Sequence, residues 1–234
     1  MIVHPAKTKT MVITSRQKHQ LAPLDLKLSL GSLPIEQVRE HRVLGVTIDS
    51  ELNWKCHLNN MNKTLSRNMF LFSQLRYYVD TSVLKLFYHA HILSHLSYAS
   101  TLWDNCSDVH MMKLNSLHRR AAKLMVPNSS VTTDKKLKLL DLLPLNQQLK
   151  LNKALFMFRV TNKEVPEYIQ SLFQRATNRY GSSKFIPPRP RLDLYKSSLA
   201  FSGSSVWNSL PTVLKHIPSV KAFKKQTHRH LFEV

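Results

Sequence analysis

Over the first fifty residues the apolar positions come in short runs. Thr10-Met11-Val12-Ile13 is a β-rich run, and Leu26-Lys27-Leu28-Ser29-Leu30 alternates apolar and polar with the strand period of two. Gly31-Ser32 turns the chain, and Leu33 with Ile35 return it as a hairpin. Arg42-Val43-Leu44-Gly45-Val46-Thr47-Ile48 is dense in β-branched residues and predicts the strongest strand. The period changes after Asp49. From Trp54 onward, Leu58, Met61, Leu65, Met69, Phe72 and Leu75 are spaced by three and four, which draws one apolar stripe along a helix. Lys63 and Arg67 fall on its opposite face.

A second helix is expected from Asp80 as N-cap, with Leu84, Phe87, Tyr88, Ile92, Leu96, Ala99 and Trp103 as its stripe. Ser107 or Asp108 caps a third, carrying Leu114, Leu117, Ala121, Leu124 and Met125. Lys113, Arg119, Arg120 and Lys123 cluster on its other side, and Pro127-Asn128-Ser129-Ser130 stops it. Helical runs follow near Thr133–Leu140 and Leu145–Asn162. Residues 173–195 change character: three prolines within Pro187-Pro188-Arg189-Pro190-Arg191 exclude a continuous helix, so the stretch reads as a basic loop. A last helix starts at Ser219, with Val220, Phe223, Thr227 and Leu231 on one face and Lys221, Lys225 and Arg229 on the other.

The expected fold is therefore mainly α with a small N-terminal β element. Its segments are short strands over 1–50, helices over 51–127, further helices over 128–172, the basic loop over 173–195 and a C-terminal segment over 196–234. Only 4 glycines occur, too few for the turns of a doubly wound nucleotide fold or a β-sandwich. A hydrophobic content of 43% in 234 residues suits one sizeable core or two small ones.

Charge changes the picture most. Thirty-four Lys and Arg face 14 Asp and Glu, a formal net charge of +20 that seeks a polyanion. Nucleic acid is the expected partner. An anionic membrane is the rival, but no helix carries a strongly apolar aromatic face and no run of about 18 apolar residues occurs. Cys56 and Cys106 form no CxxC pair, and the first residues lack the apolar core of a signal peptide. An intracellular, reducing location is expected, nuclear or cytoplasmic.

Catalytic signals are absent. Two-metal nucleotidyl transfer needs converging carboxylates, yet the acidic residues are scattered and no Asp-Asp pair occurs. Asp49 and Glu51 read as a strand end and a helix opening. No GxxxxGK[ST] or GxGxxG is present. His91 and His95 stand one helical turn apart, but Ile92 occupies the place where a zinc protease needs its glutamate. Cys106 with His110 offers only two ligands. No enzyme activity, cofactor or metal is expected.

What remains is basic faces interleaved with aromatics. Lys63 and Arg67, then Lys113, Arg119, Arg120 and Lys123, then Arg175, Arg179, Lys184, Arg189 and Arg191 suit phosphate contacts, which grip the backbone and carry little sequence information. Tyr180 and Phe185 suit stacking on unpaired bases. Any single cluster reads equally as a solvated face; together they favour binding. Trp54, Trp103 and Trp207 read as core.

Three stretches resemble one family. His4-Pro5-Ala6-Lys7-Thr8-Lys9-Thr10-Met11-Val12-Ile13 is similar to the segment after the catalytic hairpin in reverse transcriptases of non-LTR (LINE-like) retrotransposons, which tends to read Asn-x-x-Lys-Thr before a strand; His4 stands at the Asn. Val43-Leu44-Gly45-Val46-Thr47-Ile48-Asp49, with Leu52, Trp54 and His57, resembles the family's primer-grip strand and the opening of its thumb. Phe201-Ser202-Gly203-Ser204-Ser205-Val206-Trp207-Asn208-Ser209-Leu210-Pro211, followed by Phe223-Lys224, resembles the Trp-Asn-x-Leu-Pro and Phe-Lys ending of many such elements. The resemblance implies a palm-edge remnant, a helical thumb and a C-terminal extension. It places Lys7 near the incoming nucleotide's phosphates, with Leu44, Gly45 and Val46 under the primer end. It also implies a truncated chain that starts downstream of the metal-binding aspartates, an RNA-directed DNA polymerase fragment holding RNA or RNA–DNA duplexes without sequence preference. A polymerase fragment that needs a partner chain, and a protein-interaction domain, are the alternatives.

Overall fold

The computed structural model describes residues 4, 7–15, 17–18, 26–127, 130–176, 184–189, 191 and 193–233. The described chain is mainly helical, with small β elements near its N-terminus. It divides into two compact units: Met1–Thr64 with Cys106–His110, and Leu65–Asn105 with Met111–Val234.

The first unit is built from short strand pairs. β1 (Lys9–Thr10) runs parallel to β4 (Glu36–Gln37), where Lys9 and Glu36 form an ion pair. β2 (Ser29–Leu30) and β3 (Leu33–Pro34) make the expected hairpin, whose turn uses the positive φ of Gly31. β5 (Glu40–Val43) and β6 (Val46–Asp49) pair antiparallel from Glu40↔Asp49 to Val43↔Val46.

That last pairing corrects the sequence reading. The run 42–48 is not one strand. It folds back at Leu44 (φ 48°) and Gly45 (φ 84°), a two-residue connection with both central residues left-handed. Such a turn matches the right-handed twist of the flanking strands, and Gly45 enters it without steric cost. Val46 and Thr47 are buried, while all four residues of β5 are exposed. The strand expected over Thr10–Ile13 is likewise confined to Lys9–Thr10.

Asp49 ends β6 and organises the turn into the first helix. Its carboxylate accepts from the backbone N–H of Glu51 and Asn53, both at 3.1 Å, and of Trp54 at 2.8 Å. Leu52 and Trp54 take positive φ in this turn, and helix α1 (Lys55–Leu75) starts beyond it. The helix buries Leu58, Met61, Leu65, Met69 and Phe72, the stripe its spacing predicts.

In the second unit, α2 (Thr81–Tyr88) is capped by Asp80, which accepts from Val83 N–H at 2.9 Å. The chain passes through a π-helical turn, His89–Leu93, into α3 (Ser94–Ser97). The buried positions Leu84, Tyr88, Ile92 and Leu96 recur every four residues. On a 3.6-residue helix that spacing drifts by about 40° per step, and one wider turn recovers the drift. The single helix expected through Trp103 instead breaks at Tyr98 and at Ala99 (φ 49°), and α4 (Ser100–Trp103) restarts it.

Helix α5 (Asp108–Met125) and α6 (Thr133–Leu139, capped by Thr132) precede α7 (Leu145–Thr161). Leu145, Leu149, Leu151, Ala154, Met157, Phe158 and Val160 are all buried and only Asn146, Lys150 and Arg159 are exposed, so α7 is covered over most of its surface rather than along one stripe. It packs against α4 and against two helices from the C-terminal region, α10 (Leu199–Ser209) and α12 (Val220–Glu233). Between α7 and those helices lie α8 (Glu167–Gln170), the strand pair β7 (Gln174–Arg175) and β8 (Phe185–Ile186), and α9 (Asp193–Lys196); α11 (Thr212–Lys215) links α10 to α12.

An aromatic core joins these elements. The rings of Phe158 and Phe223 stack at 4.5 Å, Trp207 lies 6.0 Å from Phe223, and Phe185 lies edge-on to Trp207 at 6.2 Å. Gly203 allows α10 to approach α7. A Cβ there would sit 2.9 Å from Met157 Sδ, so a larger residue would have to displace the thioether.

Candidate nucleic-acid interface

The structure sorts the basic residues into presented and engaged groups. On α5, Lys113, Arg120 and Lys123 are exposed. At seven and ten residues after Lys113, Arg120 and Lys123 share its side of the helix, with Ser116 between them. The row is about 15 Å long, the rise of roughly four nucleotides at about 3.4 Å each. Arg119 belongs elsewhere: its Nη1 donates to Asp134 Oδ1 at 2.7 Å, which ties α5 to α6. On α1, Lys63 and Arg67 are exposed opposite the buried stripe.

Among the described residues of segment 173–195, Phe185 and Arg175 depart from the sequence reading. Phe185, expected to stack on bases, is buried among Phe173, Trp207 and the other core rings. Arg175 donates to the carbonyl of Thr161 at the end of α7, and its guanidinium lies 5.8 Å from the Phe185 ring centre. Asn208 holds the backbone of Phe185 from both sides: its Oδ1 accepts from Phe185 N–H at 2.9 Å, and its Nδ2 donates to Phe185 C=O at 2.7 Å. The Trp-Asn-x-Leu-Pro run is thus accounted for by packing. Trp207 and Leu210 fill the core, Asn208 clasps the strand, and Pro211 starts α11. Lys184, Arg189 and Arg191 are exposed, and Arg179 and Tyr180 lie outside the described residues.

In the first unit, Lys7 is exposed on a turn closed by Lys7 and Thr8 N–H donating to His4 C=O at 3.0 and 3.2 Å. Leu44, Gly45 and Val46 do not form a continuous strand surface. Leu44 is 86% exposed at the hairpin tip, whereas Val46 is buried.

Several cations are withdrawn from the surface. Lys153 and Asp104 form a buried pair at 2.6 Å, in which burial holds the Asp104 carboxyl above its ordinary value and Lys153 offsets only part of that rise. Lys215 Nζ donates to Asn208 C=O at 3.4 Å; burial, then the nearby Lys184, pushes its ammonium below the ordinary value.

Sequence reasoning missed two groupings. Lys85 and Lys224, far apart in sequence, both lower the pKa of His89 and of His228, where burial is the larger cause. His228 Nδ1 also lies 3.8 Å from Asp141 Oδ1. The second grouping centres on His118. Its Nδ1 accepts from the Tyr88 hydroxyl at 2.6 Å, and its Nε2–H donates to Leu143 C=O at 2.9 Å. Burial pushes its pKa down to about 4 and the Tyr88 phenol upward. The pair is a neutral polar bridge through the core. A histidine at the centre of an apolar stripe was the available signal.

Among the described residues, no group of three or more His, Cys, Asp or Glu is placed to hold a metal ion. No described helix is long and apolar enough to cross a membrane. No protein-family model matches the chain, and neither a curated protein nor a solved structure is significantly similar to it.

Proposed function

We propose that this chain is the palm-edge, thumb and C-terminal part of a non-LTR-type reverse transcriptase, and that by itself it grips RNA or RNA–DNA duplexes without sequence preference and does not polymerise. The observation that carries the reading is the outward row Lys113, Arg120 and Lys123 on a helix whose opposite face is buried. A rigid cationic row at this spacing suits a phosphate backbone, and the net charge of +20 supplies long-range attraction. The three family-like motifs support the same origin, and the sequence carries no aromatic-x-Asp-Asp hairpin to hold metal ions.

The test is fluorescence anisotropy of the purified chain with a labelled RNA–DNA hybrid at several salt concentrations. Log affinity is expected to fall linearly with log salt. Affinity unchanged between about 50 and 200 mM salt would refute the reading. Primer extension with Mg²⁺ or Mn²⁺ is expected to be undetectable. Among the described strands β5 pairs with β6 alone, which favours a second reading, in which another chain pairs along its other edge; extension that arises only on adding such a chain would support it.

A further inference from the structure

The C-terminal end of α1 carries an unusual surface. Phe70 and Leu71 project from the same side of the helix as Arg67, and both are more than half exposed. Immediately after the helix, Tyr77 and Tyr78 project from a turn held by Tyr77 N–H to Gln74 C=O at 3.2 Å and Tyr78 N–H to Leu75 C=O at 3.0 Å. Tyr78 is 84% exposed and Tyr77 69%. The Arg76 guanidinium lies 4.6 Å from the Tyr77 ring centre and donates to its hydroxyl, so ring and cation already form one layered unit.

Four large apolar or aromatic side chains exposed within nine consecutive residues mark a surface that something covers. The charges around them say what. Arg67 precedes this stretch in sequence, Arg76 lies within it against Tyr77, and Asp80 is the sole acidic residue between Glu51 and Asp104. The Asp80 carboxylate is occupied as a helix cap, accepting from Val83 N–H and the Ser82 hydroxyl. An occupant with flat apolar faces and negative charge complements this surface.

We infer that Phe70, Tyr77 and Tyr78 form a stacking platform for unpaired bases of a single strand, with Arg67 and Arg76 taking its phosphates. The platform rests on the nucleic-acid reading above and adds to it a preference for duplexes with a single-stranded extension. Every base has a π-face, so such stacking tolerates any sequence.

The experiment compares a blunt RNA–DNA hybrid with the same hybrid carrying a single-stranded extension that contains a fluorescent purine analogue. The extension is expected to tighten binding roughly tenfold and to quench the analogue. The triple variant F70A/Y77A/Y78A should lose that gain while binding the blunt hybrid as before. Y77F/Y78F should keep it, because the rings remain. All three positions are exposed, and a retained cooperative thermal transition checks the fold of each variant. Equal affinity for both hybrids with an unquenched analogue would overturn the platform and leave duplex binding standing. A gain that survives in the triple variant would overturn it too. Failure of both hybrids to bind at low salt would overturn the platform and the nucleic-acid reading together.

Discussion

Helix α5 and the segment from Gln174 to Arg191 look alike as strings of letters. Each combines several cations with apolar or aromatic residues, and each reads as a phosphate-binding stretch. In the structure they behave differently. On α5 the cations at Lys113, Arg120 and Lys123 face outward because the apolar face is fully occupied. In the segment, Phe185 enters the core, Arg175 follows it to the end of α7, and Asn208 clamps the backbone in place. The difference is one of competition. A helix separates its apolar and charged residues onto two faces by geometry alone. A short strand next to an unfilled core gives its aromatic to the core and takes the neighbouring arginine along.

The largest effect that would break this contrast is at Phe185. Phe185→Ala should cost about 3–5 kcal/mol of stability, as for other buried aromatics, measured by denaturant unfolding. Little stability loss together with weakened hybrid binding would return the segment to the interface.

A smaller effect sharpens the account of α5. In the unfolded chain His118 takes up a proton near pH 6.5, in the folded chain only near pH 4. Between these values the unfolded state binds more protons, so stability is full above about pH 6.5 and declines as the pH falls to about 4, by up to about 3 kcal/mol. His57, His89 and His228, also lowered by burial, act in the same direction. His118→Gln should flatten that part of the stability–pH profile; an unchanged profile would show that the acid sensitivity lies elsewhere.

The smallest effect on folding should come from K113Q/R120Q/K123Q. These exposed changes should move stability by no more than about 0.5 kcal/mol. They should also make the salt slope of hybrid binding shallower by roughly 2–3 units. The same substitutions at Arg189 and Arg191 offer the direct comparison between the two regions.

Helices were legible wherever apolar residues recur with one period. Leu58 to Phe72 is the clearest case, and the runs near Thr133–Leu140 and Leu145–Asn162 correspond to α6 and α7. The break at Ala99 was hidden because an αL alanine carries no local signal. The hairpin at Leu44-Gly45 was hidden for the opposite reason: β-branched residues on both sides favour a strand through the turn, and only pairing register divides them. α10 escaped because Gly203 and four serines mask its period, although those small side chains suit close packing. For the interface, the direction of each helical cation could be read from spacing. Engagement could not, since Arg119 with Asp134 and Lys153 with Asp104 join residues from separate elements.

The bridge at His118 has a consequence for the rotational phase of α5. Apolar contacts are indifferent to small turns of a helix about its axis, whereas hydrogen bonds at 2.6 and 2.9 Å are directional. Lys113, Arg120 and Lys123 stand about 140–160° around the helix from His118, at about 100° per residue. A slip of one residue would break both bonds and swing the cationic row toward the core. One buried imidazole therefore acts as an angular stop, and the outward aim of the charges is set from the inside of the protein.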